Sequence, residues 1–283
     1  MAPVHHTERL ASAGGVELAL HDLGGEGPTV LLCHPTGFHG LVWAPVAAEL
    51  AGVAHCWALD FRGHGDSTVP AGGDMDWWGA AADVRTVADR LGVTEGGLAA
   101  GHSMGGAALL MAEMARPGTF ARLWLFEPIV FPRVEGGGPR GGLADSARRR
   151  RPSFPDRDAA YANYAAKPPL SGIDPAALRA YVDHGFRDAG DGDGVVLKCA
   201  PEVEAATFDA GMRAHAFERL GEVEAEVVVA AGGDAGAPGM MAPVVADALP
   251  HGRLERHPQL SHFGPMEDPP LVAEAIRRAL GLG

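Results

Sequence analysis

The chain has 283 residues, of which 47% are hydrophobic, so it is long enough to bury a sizeable core in one large domain. Its formal net charge of −13 argues against nucleic acid and anionic membrane surfaces as partners, because both attract positive charge. We find no apolar run long enough for a membrane span and no signal-peptide pattern, and the few cysteines fit a reducing cytoplasm.

Short apolar runs alternate with helical patterns along most of the chain. The runs typical of strands are VELALHDL, TVLLCH, HCWALDF, EGGLAAGH, ARLWLFE, AEVVVAAG and RLERHPQ. The spacing of apolar residues predicts amphipathic helices over MDWWGAAADVRTVADRLG, MGGAALLMAEMAR and PPLVAEAIRRALG, and Gly92 and Gly281 are placed to end two of them. This alternation predicts an α/β fold with a mostly parallel sheet and helices on both faces.

The alternation is interrupted once, from about residue 129 to 224. A segment rich in Gly, Pro and Arg is followed there by the helical patterns DAAYANYAAK, DPAALRAYVDHGF and PEVEAATFDAGMRAHAFERL. We interpret it as a helical insertion after the sixth strand, which divides the chain into a core of residues 1–128 and 225–283 and a cap of residues 129–224. The basic run Arg148–Arg151 is interpreted as a solvated loop of an acidic protein, with contact to an anionic substrate as the alternative.

The stretch GHSMGG joins the strand EGGLAAGH to a helix, and Ser103 lies at the turn. Such a turn presents its central residue at the carboxyl edge of a parallel sheet, where ligands bind in open α/β folds. A serine on so tight a turn needs small neighbours two residues away on each side, and Gly101 and Gly105 supply them. The arrangement is that of a G-x-S-x-G nucleophile elbow, so the sequence predicts Ser103 as a nucleophile.

A serine hydroxyl needs a base and a carboxylate that orients the base. His262 follows the last predicted strand, whereas His257 falls inside that strand, so we predict His262 as the base. Two carboxylates end neighbouring strands: Asp234 after AEVVVAAG, which we favour as the acid, and Glu127 after ARLWLF, which is the alternative. Either carboxylate could instead cap local amides, as is common at strand ends.

Four stretches of the chain resemble the α/β-hydrolase family: LLCHPTGFHGLVW, ALDFRGHGDS, GHSMGG and SHFGPMEDP. The resemblance covers nearly the whole chain and implies an eight-stranded, mostly parallel sheet with a helical cap inserted after strand 6. Ser103, Asp234 and His262 follow the family's order of nucleophile, acid and histidine. Some members carry a glutamate after the sixth strand, as Glu127 is here, although that pattern usually accompanies an aspartate nucleophile.

The resemblance also locates an oxyanion hole at the backbone amides of Met104 and Thr36. The family commonly has His-Gly where this chain has His34 and Pro35. Proline has no N–H, but the expected donor is the next residue, so the hole survives the difference. We interpret His34 as a structural residue, and Arg62 as the ion-pair partner of Asp66.

These features predict a serine hydrolase that cleaves an ester, lactone or thioester of a medium-sized apolar small molecule, with no metal and no other cofactor. Aromatic residues of the cap are expected to build the pocket: Phe131, Phe154, Tyr161, Tyr164, Tyr181, Phe186 and Phe217. The alternatives are a cofactor-free perhydrolase or haloperoxidase-like enzyme, a C–C bond hydrolase, and a non-catalytic small-molecule receptor. The sequence leaves the substrate and the oligomeric state open.

Overall fold

The structure is a computed structural model that describes residues 6–133, 142–190, 192–233 and 236–283. Its strands are β1 (His6–Ser12), β2 (Val16–Asp22), β3 (Thr29–Cys33), β4 (His55–Asp60), β5 (Gly97–His102), β6 (Phe120–Phe126), β7 (Ser153–Phe154), β8 (Phe186–Asp188), β9 (Val195–Leu197), β10 (Glu226–Gly232) and β11 (Gly252–His257). Its α-helices are α1 (Ala44–Leu50), α2 (Trp77–Leu91), α3 (Met104–Ala115), α4 (Leu143–Arg148), α5 (Arg157–Ala165), α6 (Pro175–Gly185), α7 (Pro201–Gly211), α8 (Ala237–Ala248), α9 (Gly264–Glu267) and α10 (Pro269–Leu280).

Eight of the strands form one sheet in the order β1-β2-β4-β3-β5-β6-β10-β11. The first two pairings, β1 with β2 and β2 with β4, are antiparallel, and the remaining strands are parallel. The predicted eight-stranded, mostly parallel sheet is therefore confirmed. The parallel order brings the carboxyl ends of β3, β5, β6 and β10 to one edge, and this edge carries the residues singled out from the sequence.

Helices cover both faces of the sheet, and the side chains of each buried strand alternate between two hydrophobic clusters. In β3, Leu31 packs into the cluster that contains α2, α3 and α8, whereas Val30 and Leu32 pack into the cluster that contains α1 and α10. A strand buried on both faces is apolar throughout, which explains why TVLLC lacks a polar alternation.

The chain between β6 and β10 forms helices α4 to α7 and a small antiparallel sheet in the order β7-β9-β8. Helices α5, α6 and α7 lie in the three helical patterns predicted there. The small sheet was not predicted, because its strands have only two or three residues and carry no periodic signal. Most of the Gly- and Pro-rich segment, residues 134–141, lies outside the described residues, and the predicted boundaries of the cap stay a prediction.

Two further features bear on the environment of the chain. Across the described ranges, no helix combines the length and hydropathy needed to cross a bilayer. Cys33, Cys56 and Cys199 are buried free thiols, and burial raises their pKa values well above the ordinary value for cysteine, so they stay protonated.

Candidate active site

Ser103 lies on a strained turn between β5 and α3. Its φ of 55° and ψ of −115° form a backbone conformation that residues other than glycine rarely adopt. A Cβ at Gly101 would lie 2.8 Å from the carbonyl carbon of Gly105, and a Cβ at Gly105 would lie 2.8 Å from the carbonyl oxygen of His34. Both glycines are therefore required by close backbone approach, as the motif implies.

The close approach at Gly105 brings the first turn of α3 against the turn that follows β3. In that turn Phe38 N–H donates to Pro35 O over 3.2 Å, and Gly37 has a φ of 80°. The backbone amides of Thr36 and Met104 donate to no acceptor within the described ranges. Two unpaired amides are the kind of donors that suit a developing oxyanion, and the oxyanion hole at Thr36 and Met104 stays a prediction.

His262 is held by Glu127, which directly follows β6. The distance between His262 Nδ1 and Glu127 Oε2 is 2.6 Å, and Gly232 N–H donates to Glu127 Oε1 over 2.9 Å. Glu127 is 1% exposed and has a φ of 45°, so its backbone is strained like that of Ser103. The Ser103 amide donates to Phe126 O over 3.0 Å, which ties the serine turn to the residue before the glutamate.

Asp234, the acid favoured from the sequence, lies outside the described residues, and its role stays a prediction. The carboxylate that contacts His262 in the described part of the chain is Glu127, the alternative. The end of β10 approaches this site as well, since Gly233 N–H donates to Leu260 O over 2.8 Å.

The loop that carries His262 is fixed by its own side chains. Ser261 N–H donates to Glu267 Oε2 over 2.8 Å, and Phe263 N–H donates to Ser261 Oγ over 3.1 Å. A Cβ at Gly264 would lie 2.6 Å from the ring of Phe126, so the loop packs directly on β6. This packing holds the His262 imidazole beside the Glu127 carboxylate.

His102 is a neighbour of the site that the sequence analysis did not single out. Its ring is fully buried, with its centroid 4.9 Å from that of His262, and neither ring nitrogen has a hydrogen-bond partner among the described residues. Burial holds the pKa of His102 well below its usual value, so the ring is neutral beside His262. Its position before the serine was the only available signal, and that position alone indicates no role.

The structure also places three other residues considered from the sequence. Phe61 N–H donates to His34 Nε2 over 3.0 Å, so the ring proton is on Nδ1, which lies 2.8 Å from Pro35 O, and this agrees with a structural His34. His257 is the last residue of β11. The pairing predicted for Arg62 was wrong: its guanidinium donates to both carboxylate oxygens of Asp83, over 2.7 Å each.

We also looked for metal-binding geometry. Within the ranges that the structure describes, no group of three or more His, Cys, Asp or Glu side chains is arranged to hold a metal ion.

Comparison with known proteins identifies the family of the chain. A model of the alpha/beta hydrolase family matches residues 30–275. The chain belongs to the α/β hydrolase family. As a family member it is a hydrolase, and its eight-stranded, mostly parallel sheet is that of an α/β hydrolase.

Individual relatives of this α/β hydrolase are distant. A probable protein phosphatase methylesterase 1 of Caenorhabditis elegans is 33% identical over 138 residues, which cover 47% of this chain and 37% of that protein. The match thus spans little more than a third of the curated relative.

Solved structures agree along the whole chain. E-2-(acetamidomethylene)succinate hydrolase superposes with a TM-score of 0.79 at 20% identity, covering 98% of this chain and 99% of that one. A malate-bound esterase from Thermogutta terrifontis superposes with a TM-score of 0.75 at 24% identity, covering 98% of each chain. At these identities the likeness establishes the fold alone.

Proposed function

We propose that this α/β hydrolase is a serine hydrolase that cleaves an ester, lactone or thioester through an acyl-serine intermediate. The observation that carries the proposal is the 2.6 Å contact between His262 Nδ1 and Glu127 Oε2, at the same sheet edge as the strained Ser103 turn. A carboxylate that holds the ring proton on Nδ1 leaves Nε2 free to act as a base. In this proposal Glu127 takes the role for which Asp234 was favoured from the sequence.

In the acylation step, Ser103 Oγ attacks the carbonyl carbon of the substrate while His262 Nε2 accepts the hydroxyl proton. The negative charge that develops on the carbonyl oxygen is stabilised by the amides of Thr36 and Met104. The imidazolium is offset by the Glu127 carboxylate, and the neutral His102 ring adds no second positive charge. His262 then protonates the departing alcohol or thiol, which leaves an acyl-serine.

In the deacylation step, His262 takes a proton from water, and the resulting hydroxide attacks the acyl carbon. Collapse of the second tetrahedral intermediate returns the proton to Ser103 Oγ and releases the carboxylic acid. The same two amides serve both intermediates. No redox partner is needed, so the reaction requires only the substrate and water.

Support for the bond class comes from the names of the relatives. The C. elegans relative is named a methylesterase and the T. terrifontis protein an esterase. The cap side chains favour a medium-sized, largely apolar substrate: Phe154, Tyr181 and Phe186 are buried, and the Phe154 and Phe186 rings lie 5.7 Å apart. Phe217 lies apart from these side chains, because it packs against the cluster of α2, α3 and α8, whereas they belong to the cluster of α1 and α10.

The test is hydrolysis of aryl esters, lactones and thioesters of graded size, together with labelling by a fluorophosphonate probe. We expect turnover of at least one class and a label that mass spectrometry places on Ser103. The Ser103→Ala variant should lose both. Binding of small molecules with no turnover and no label would instead favour a receptor, and peroxide-dependent halide oxidation in acetate buffer would favour a perhydrolase.

A further inference from the structure

Arg150 differs from its neighbours in the basic run of the cap. Arg148 is exposed at the end of α4, whereas the Arg150 side chain is only 20% exposed. Its Nη1 donates to Glu204 Oε2 over 2.5 Å, and its Nη2 donates to the hydroxyls of Tyr164, over 3.2 Å, and of Tyr181. We call Arg150, Glu204, Tyr164 and Tyr181 the Arg150 cluster.

The Arg150 cluster lies against the turn that carries the Thr36 amide. A Cβ at Gly37 would lie 2.8 Å from Glu204 Cδ and 3.4 Å from Arg150 Nη1, so the ion pair lies directly against the backbone of this turn. The Phe38 ring lies 4.8 Å from that of Tyr181. The cluster therefore forms a wall next to the proposed oxyanion hole and is not a remote surface contact.

Two hydroxyl donors of the Arg150 cluster have no acceptor in the described part of the chain. A guanidinium has five N–H donors and no acceptor, so the oxygens of Tyr164 and Tyr181 accept from Arg150. Neither tyrosine O–H has an acceptor within the described ranges, and burial raises the pKa of Tyr181, so that hydroxyl keeps its proton. Buried donors are normally paired, so the Tyr181 O–H, which is buried and has no acceptor within the described ranges, is open to an acceptor from a ligand.

We propose that Arg150, together with the Tyr164 and Tyr181 hydroxyls, binds a carboxylate on the acyl part of the substrate. The two oxygens of a carboxylate would accept from the two tyrosine O–H groups and from the guanidinium. Glu204 holds the guanidinium in place and offsets its charge when no ligand is bound. This inference rests on the proposed hydrolysis at Ser103 and narrows its substrate class.

The position of the cluster limits the length of that substrate. Arg150 Nη1 lies 3.4 Å from the position that a Cβ on Gly37 would take, and Gly37 directly follows Thr36, whose Cα is about 3.8 Å away. A carbonyl oxygen at the Thr36 amide and a carboxylate at Arg150 are then separated by about two to four carbon atoms. The favoured substrates are ester-type derivatives of short dicarboxylic acids.

The test compares two substrates that differ only in charge: the p-nitrophenyl monoester of succinate, and the same compound with its free carboxylate methylated. Rates of the Ser103→Ala variant are subtracted from both as background. The wild type should prefer the acid in kcat/KM by about 10- to 100-fold, because a hydrogen-bonded charge is worth one to two factors of ten. In Arg150→Gln, kcat/KM for the substrate with the free carboxylate should fall by that factor relative to kcat/KM for the methylated substrate.

Two further variants separate recognition from folding. Arg149→Gln removes an exposed arginine of the same run and should keep the preference. Because Arg150→Gln leaves Glu204 buried without its partner, the double variant Arg150→Gln/Glu204→Gln is measured as well and should also lack the preference. The inference is overturned if the wild type shows no preference, if the double variant keeps it, or if Arg150→Gln slows both substrates equally.

A binding measurement keeps this inference distinct from the proposed reaction. In calorimetric titrations, Ser103→Ala should bind succinate at least about tenfold more tightly than the double variant Ser103→Ala/Arg150→Gln does. Neutral succinamide should bind weakly to both proteins. Hydrolysis of neutral esters without succinate binding would overturn the carboxylate site alone. Succinate binding without any ester turnover or probe labelling would overturn the proposed reaction and leave the carboxylate site standing.

Discussion

Replacing Glu127 by glutamine tests the core of the proposed mechanism. The carboxylate accepts two hydrogen bonds, from Gly232 N–H at Oε1 and from His262 Nδ1 at Oε2, and a glutamine amide has only one oxygen. If that oxygen stays on Gly232, the amide NH₂ faces Nδ1 and forces the imidazole proton onto Nε2. The base that should accept the Ser103 proton is then blocked.

If the glutamine amide is turned the other way, its NH₂ faces the Gly232 N–H and two donors meet in a buried site. Either orientation also removes the negative charge that offsets the imidazolium. We expect kcat to fall by about 10³- to 10⁴-fold, which corresponds to about 4 to 5.5 kcal/mol in the barrier.

The assay is kcat for the best ester found, with the folded fraction measured by circular dichroism and reactive serine titrated with a fluorophosphonate. Asp234→Asn is the matched control, and we expect it to change kcat less than about threefold, since the Nδ1 site of His262 is taken by Glu127. If Asp234→Asn abolishes turnover while Glu127→Gln leaves it within a few-fold, the assignment of the acid is refuted.

Three further predictions concern stability. Burial lowers the pKa of His39 to about 4, below its value in the unfolded chain, so the free energy of unfolding should fall by about 3 kcal/mol between pH 7 and pH 4. Urea titrations of His39→Gln should show a smaller fall, and equal falls in the two proteins would contradict this. Gly105→Ala should lower the free energy of unfolding by about 1 to 3 kcal/mol and also lower kcat. An unchanged melting temperature and an unchanged rate would count against the close packing at the Ser103 turn. Arg62→Met should lower the free energy of unfolding by about 3 to 5 kcal/mol in denaturant titrations, because it leaves Asp83 buried without its cation. The double variant Arg62→Met/Asp83→Leu should recover much of that stability, and an Arg62→Met protein as stable as the wild type would refute the pairing.

Much of the core fold could be predicted because its strands and helices have clear periods. The exception in the sheet is β1, an edge strand whose residues are exposed or half-buried and which therefore carries no apolar run. The partner of Arg62 could not be predicted, because Asp66 is four residues away in sequence whereas Asp83 approaches only when α2 packs on the sheet.

In the candidate site, too, some residues carry a local sequence signal and others do not. Ser103 and His262 stand in local motifs, and short-range sequence is enough to point to them. The choice between Glu127 and Asp234 depends on which strand end points its side chain at His262, which is 135 residues from Glu127, and no local pattern encodes that. Arg150 illustrates the same limit: its turn toward Glu204 depends on the packing of α4 against α7, so it could not be told apart from the other arginines of its run.

Ser103 and Glu127 both hold positive φ angles with ordinary side chains, and such conformations cost on the order of 1 to 3 kcal/mol each. Glycine at either position would relax the backbone and remove the very group that the proposed chemistry needs. A laboratory selection for heat resistance that ignores turnover would therefore favour glycine at these two sites, and the selected proteins would be more stable but inactive.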